Sequence, residues 1–317
     1  MIVTGALATA EPPGMVHIPG GTFAMGSEDF YPEEAPVRRV RVDPFWIDTA
    51  PVTNSQFARF VAETGYVTFA ETAPDPKDYP GMLPELMQPG SLVFEPSPGP
   101  IDLAQVSWWD FRFGASWRAP LGAGSTLEDL EDHPVVHVAH CDAAAYARWA
   151  GKDLPTEAEW EFAARGGLEG VAYAWGDELA PGGAMLANYW QGRFPFGNTL
   201  ADGYLRTSPV GTYPPNGYGL HDMIGNVWEW TDDWFSQPKA ERGSRGSCCI
   251  PANPRGGSRG GSIDKRDGTR IPRKVLKGGS HLCADEYCRR YRPAARYPQP
   301  VDTTTCHVGF RCVVRPD

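Results

Sequence analysis

Leu154-Pro155-Thr156-Glu157-Ala158-Glu159-Trp160-Glu161, continuing as Phe162-Ala163-Ala164-Arg165-Gly166-Gly167, carries the clearest structural signal in the chain. Thr156 and Glu159 have capping-box spacing: the hydroxyl accepts an amide of the first turn, and the carboxylate reaches back to the cap N–H. Trp160 and Ala164 fall four residues apart and share one face. Gly166 then supplies the left-handed stop. The stretch predicts a short helix closed at both ends, and short, punctuated elements are the expectation for the rest of the fold.

The same grammar recurs on either side. Thr53-Asn54-Ser55-Gln56 is a second capping box, with Phe57, Phe60 and Val61 on one face and Gly65 as the stop. Another helix is predicted after Asp142, with Tyr146, Trp149 and Ala150 on one face and Gly151 ending it. Between these, short strands broken by Gly and Pro are expected at Met15–Met25, Arg38–Ile47 and Gly309–Val314. The mixture predicts an α+β chain with few long elements, and no stretch reads as an interdomain linker.

Composition bounds the function. The 317 residues can bury a substantial core without crosslinks. With 36 Gly, 31 Pro and 11 Trp, much of the chain must be turns and loops held by large aromatic side chains. A net charge of −10 excludes a general nucleic-acid binder, which needs a basic face to release counterions. No apolar run reaches the roughly 18 residues of a membrane span. Met1–Pro13 has no Lys or Arg and does not read as a secretory signal, so a cytoplasmic protein is expected. Seven cysteines are too few, and odd in number, for a disulfide scaffold of this length.

Residues 236–274 stand apart, with ten Lys or Arg against three Asp or Glu and abundant Gly and Ser. That composition predicts a solvated, mobile loop, or an arm for an acidic or polypeptide partner.

The densest chemistry lies in Lys277-Gly278-Gly279-Ser280-His281-Leu282-Cys283-Ala284-Asp285-Glu286-Tyr287-Cys288-Arg289-Arg290. Two thiols separated by four intervening residues can meet if the backbone turns, and thiolates select soft ions such as Cu(I), Zn(II) or iron–sulfur clusters. Arg289, Arg290 and Arg292 would help to keep sulfur ionised. By spacing alone the pair reads equally as unconnected thiols, a metal or redox site, or a disulfide. Zinc needs two more ligands, for which His281, His307, Cys306 and Cys248-Cys249 are the candidates.

A second constellation is rich in oxygen. Asn188-Tyr189-Trp190-Gln191-Gly192 precedes Asp202-Gly203-Tyr204, and Asn216–Trp230 contains Asp222-Met223-Ile224-Gly225-Asn226-Val227-Trp228. Asn and Asp oxygens with loop carbonyls suit a hard ion such as Ca²⁺, and they equally suit ordinary Asx turns.

Taken together these stretches resemble the formylglycine-generating enzyme family, the sulfatase-modifying factors. The match runs through Ile18–Gly26, Pro51-Val52-Thr53-Asn54, His133–Val138, Trp149-Ala150-Gly151-Lys152, Leu154–Glu161, Asn188–Pro195, Gly225–Trp230, the cysteine stretch and Gly309-Phe310-Arg311-Cys312. It covers residues 15 to 315 as one domain, after an N-terminal tail of residues 1–14, with divergent insertions near 72–120 and 236–274. The resemblance implies a single-domain α+β fold, C-type-lectin-like, with low regular secondary structure.

It further implies an O2- and copper-dependent oxidase. Cys283 and Cys288 would hold Cu(I), and a cysteine in a Cys-x-Pro-x-Arg segment of an unfolded or nascent sulfatase would join as a third thiolate. That cysteine would lose a β-hydrogen, and the thioaldehyde formed would hydrolyse to Cα-formylglycine. Ser280, Trp228 and Tyr287 match positions lining the family's site. Structural calcium is implied at Asn188, Tyr189, Asp202 and Tyr204, and again at Asp222, Met223, Gly225 and Val227. A monomer is expected. The alternative is a non-catalytic member of the same fold that binds peptides or small molecules. Departures from the family pattern are Ala284, where several relatives have His, His140-Cys141 in place of a frequent Trp-Asn, and Ala147 and Ala164 where vesicular relatives carry paired cysteines.

Overall fold

The computed structural model describes residues 11–79, 81–102, 108–237, 250–266 and 269–316. The N-terminal half holds β1 (Met15–Ile18), β2 (Gly21–Met25), β3 (Arg38–Val42), β4 (Phe45–Asp48), α1 (Asn54–Thr64), β5 (Gly90–Phe94) and β6 (Trp109–Phe113). Next come α2 (His140–Trp149), α3 (Glu157–Arg165), β7 (Gly192–Arg193) and β8 (Gly197–Asn198). The chain closes with β9 (Trp228–Trp234), β10 (Arg273–Lys277), β11 (Arg296–Pro300), β12 (Val308–Gly309) and β13 (Val313–Val314). Four strands form the largest sheet, in the order β11-β10-β9-β12, and β1-β4-β13 form a second. Long loops join these short elements, as the Gly and Pro content predicts.

Both capping boxes form. Thr53 accepts Gln56 N while Gln56 bonds back to Thr53 N, and Thr156 and Glu159 do the same for α3. Gly65 and Gly166 end those helices in the left-handed conformation. Helix α2 starts three residues earlier than its sequence suggests, at His140. Asp142 lies inside its first turn and accepts the Ala139 amide at 2.8 Å, one half of a capping box whose other half Ala139, with no side-chain oxygen, cannot return.

One core packs Phe57 and Phe60 of α1 against Tyr146 of α2 and Phe310, ring on ring. Each buried phenylalanine of this kind stabilises the fold by about 1.5–3 kcal/mol. The second core lies under α3 and carries a buried polar hub. Glu229 of β9 receives Arg311 through two nitrogens and the Trp160 indole at 2.8 Å. Arg311 also donates to the His221 and Asp222 carbonyls, so β9, α3, the loop before β9 and the C-terminal segment meet at one ion pair. Beside it, Glu161 holds Lys277 at 2.9 Å and Arg165 at 2.7 Å.

The basic stretch is not wholly a free arm. Arg255 pairs with Asp232 and Asp233, Arg273 with Asp264, and Asn253 with Asp43, which fastens residues 250–266 to β9 and β3. Arg255 and Lys274 are anchored by acidic groups of β9, whereas Arg266 and Arg273 pair with Asp264 inside the stretch itself. Cys248 and Cys249 lie outside the described residues.

Candidate active site

The site is assembled where β10 ends. Gly279 has φ +74°, and a Cβ there would sit 2.6 Å from the Arg290 carbonyl oxygen. Only glycine permits that approach, and it lets the segment leaving β10 double back on itself. Cys283 N then bonds the Ser280 carbonyl at 2.9 Å, and Cys288 N bonds the Ala284 carbonyl at 2.8 Å. The second bond closes one helical turn and returns Cys288 to Cys283. Their sulfurs stand 3.3 Å apart, as free thiols. Trp190 N on the Cys283 carbonyl and His281 N on the Asn226 carbonyl pin this loop to its neighbours.

The two sulfurs differ in charge. Burial pushes the Cys283 thiol well up, so it keeps its proton and donates to Cys288. That hydrogen bond and the Arg290 guanidinium outweigh burial at Cys288 and bring its thiol down to about 6. Only Arg290 of the three expected arginines reaches the sulfur, at 3.8 Å. Arg292 turns away into a buried two-pronged pair with Glu34, and Arg289 pairs with Asp285 at the surface. The β2–β3 connection makes this choice: Glu33 takes Arg290 at 2.6 Å, Glu34 takes Arg292, and Tyr31 lies under the Arg290 plane at 3.7 Å.

Both thiols open into a cleft of about 380 Å³, which Ser280, Trp228 and Tyr287 also line. Ser280 Oγ accepts the Leu282 amide, which leaves its O–H proton to point elsewhere. The sequence reading missed the opposite wall. Trp108 and Trp109, from the divergent insertion, and Phe194 line it. Tyr287 stacks on Phe194 at 4.6 Å, and Trp108 meets both rings edge-on at 5.3 Å. The adjacent Trp108-Trp109 pair was the only hint of this wall in the sequence.

Of the described alternative zinc ligands, His307 lines the same cleft, where its Nδ1 bonds the Thr305 hydroxyl, and neither His281 nor Cys306 joins the thiols. His281 bonds Asn226 through Nδ1, and Cys306 accepts the Phe94 amide. Among the described residues no group of three or more His, Cys, Asp or Glu is placed to hold a metal. The two thiols alone are a soft, open donor pair, with the Cys288 thiol held below its ordinary pKa by Cys283 and Arg290; this suits Cu(I), which accepts low coordination by thiolate.

The oxygen-rich stretches also come together in part. Tyr189 O and Asp202 Oδ2 both face the Gln191 side-chain amide. Asp202 Oδ1 accepts Tyr204 N in an Asx turn, and Asn188 Nδ2 is held by the Arg206 carbonyl. Asp222 is buried in a loop of left-handed residues that includes Gly225 and Asn226, and it accepts the Gly211 amide at 2.8 Å. Met223 and Val227 belong to the same buried loop. The converging Tyr189 and Asp202 oxygens suit a hard cation.

Comparison with known proteins agrees with the fold. Residues 3–316 match the family model for the sulfatase-modifying factor enzyme 1-like domain. The chain is 54% identical over 303 residues to the formylglycine-generating enzyme of Mycobacterium tuberculosis, covering 95% of this chain and 98% of that one. It is also 42% identical to the inactive C-alpha-formylglycine-generating enzyme 2 of Mus musculus, over 96% of this chain and 87% of that one. The solved structure of PvdO from Pseudomonas aeruginosa superposes with a TM-score of 0.64 at 22% identity, over 95% and 94% of the two chains, a likeness of fold. With its α+β architecture and low content of regular structure, the chain is a single-domain member of the formylglycine-generating enzyme, or sulfatase-modifying factor, family.

Proposed function

We propose that this protein converts a cysteine in a Cys-x-Pro-x-Arg segment of an unfolded sulfatase to Cα-formylglycine, using O2 and a Cu(I) ion held by Cys283 and Cys288. The carrying observation is the pair of sulfurs 3.3 Å apart on the wall of an open cleft. Family membership alone leaves activity open, since a relative named as inactive shares 42% identity with this chain. The thiol pair is what favours catalysis over a binding-only role.

When bound, Cu(I) would supply a soft site for the substrate thiolate and the electrons with which O2 chemistry begins. The residues of the chain do the rest. Cys288 offers a thiolate near neutral pH, and the Cys283 proton must leave for both sulfurs to act as ligands. Arg290 holds its charge beside Cys288 while Glu33 fixes the guanidinium in place. Trp108, Phe194 and Tyr287 give an extended peptide an aromatic surface across the cleft. Ser280 has a hydroxyl proton free to donate to a substrate group.

We also propose structural calcium at Asn188, Tyr189, Asp202 and Tyr204, and at Asp222, Met223, Gly225 and Val227. The convergent oxygens of Tyr189 and Asp202 and the buried Asp222 carboxylate support this reading.

The deciding experiment incubates Cu(I)-loaded protein, O2 and a reductant with a Cys-x-Pro-x-Arg peptide and reads the peptide mass. Loss of about eighteen mass units, as the CH2–SH group becomes an aldehyde, is the expected result. An unchanged mass overturns the proposal.

A further inference from the structure

One wall of the cleft is a sheet face that continues past the cleft. β5 pairs with β6 so that Leu92 stands opposite Phe111 and Gly90 opposite Phe113, and on its other side Leu92 bridges to Thr305. Strand side chains alternate between faces, so Leu92, Thr305 and Phe111 share one face, together with Trp109 and Phe113 two residues either side of Phe111. Leu92, Thr305 and Trp109 line the cleft, and Trp109 stacks on His307, which lines it too. Phe111 and Phe113 are the outer part of that same face.

These two rings are left in water. Phe111 is 46% exposed and Phe113 41%, and they meet edge-on at 5.9 Å. A Cβ at Gly90 would come within 2.9 Å of the Phe111 ring, so glycine there leaves room for the ring over the neighbouring strand. Adjacent exposed aromatic rings at a sheet edge mark a contact surface. They fall far short of the roughly 800 Å² that each partner buries in a standard interface, so they suit the extension of a contact made elsewhere and not a dimer. That contact is next to them. A cleft of about 380 Å³ is at the small end for a drug-sized ligand, so a polypeptide seated in it must leave over the rim.

We infer that Phe111 and Phe113 are a docking track for the substrate polypeptide, taking apolar side chains that flank the Cys-x-Pro-x-Arg segment as the extended chain leaves the cleft. The inference rests on the proposed peptide substrate and adds a preference for apolar flanking sequence.

The test uses fluorescein-labelled peptides with Ser in place of the reacting Cys, so that binding, followed by anisotropy, is read apart from turnover. A core Ser-x-Pro-x-Arg peptide is compared with versions extended at either end by about six residues, enough to run past the roughly 13 Å of β6. The extensions alternate Leu with Thr, or Ser with Gly. The Leu–Thr extension at one end should tighten binding by about tenfold, and the Ser–Gly extension should change it little. The double variant Phe111→Thr, Phe113→Thr keeps β-branched residues in the strand. It should bind the core peptide as the wild-type protein does and lose the gain from the extension. The inference is overturned if no extension tightens binding, if the double variant keeps the gain, or if sedimentation shows a wild-type dimer that the double variant breaks, which would give the face to a second copy. The mass assay on the Cys-containing core peptide separates the two readings. Conversion with no effect of extension overturns the docking track alone, and a gain in binding with no conversion overturns the catalytic reading alone.

Discussion

Arg290 joins Cys288 to Glu33: one guanidinium nitrogen lies 3.8 Å from the sulfur and another 2.6 Å from the carboxylate. The contact ties the cysteine loop, near the C-terminus, to the β2–β3 connection near the N-terminus. Replacing Arg290 by Met should remove the charge beside the sulfur and leave Glu33 without its partner. The expected result is Cu(I) affinity lower by about tenfold in competition with a chromophoric chelator, with the circular dichroism spectrum retained. Arg290→Lys keeps the charge without the fork and should fall between the two.

The cysteines themselves give a sharper outcome. Cys283→Ser and Cys288→Ser should each abolish peptide conversion and each reduce bound copper to background, because a hydroxyl is a poor ligand for a soft ion. Both variants should keep the wild-type Tm within about 2 °C, since neither changes side-chain volume much. Full activity in either variant would remove that sulfur from the site.

Trp108 stands edge-on to both Phe194 and Tyr287 at 5.3 Å. Trp108→Ala takes away that side of the aromatic wall, and each such pair is worth about 0.5–1.5 kcal/mol. Steady-state kinetics on the peptide should show KM raised by about tenfold with kcat changed much less, the pattern of lost binding and not lost chemistry.

Glu161 governs acid stability. Burial alone would raise its carboxyl pKa, but Lys277 and Arg165 outweigh burial and hold it at about 2. A depressed carboxylate stabilises the folded state fully above the ordinary value of 4.5 and loses that contribution as pH falls towards 2. Urea midpoints should therefore drop between pH 4.5 and 2. Glu161→Gln leaves Arg165 without its carboxylate and Lys277 with only the longer contact to Glu157, 3.9 Å, and should cost about 3–5 kcal/mol at pH 7, while flattening the acid limb of the profile.

Chelation tests the calcium proposal. Dialysis against a calcium chelator should lower Tm by several degrees, because about 1 kcal/mol corresponds to roughly 2–4 °C in a domain of this size class. Asp202→Ala should already have the lower Tm and respond less to chelation. An unchanged melting curve would leave the Asp202 and Asp222 loops as turns alone.

The sequence by itself determined the local elements and the reactive pair. Thr53 with Gln56 and Thr156 with Glu159 place two helix starts because a capping box is closed between residues three apart, and Gly65 and Gly166 place their ends. The same local logic misplaced the start of α2, where the capping carboxylate of Asp142 sits inside the helix. Cys283 and Cys288 could be singled out because a single turn suffices to bring them together.

Tertiary structure decided everything that depends on distant partners. Three arginines follow the thiols, and only contact with Glu33 and Glu34, some 260 residues away in the chain, sends Arg290 to the sulfur and Arg292 into the interior. The aromatic wall likewise draws Trp108, Phe194 and Tyr287 from three separate segments, which no spacing rule connects. Capping and turn formation are short-range and leave a pattern in the sequence. Burial, ion-pair choice and cavity shape arise when the folded chain brings remote residues together, and they leave none.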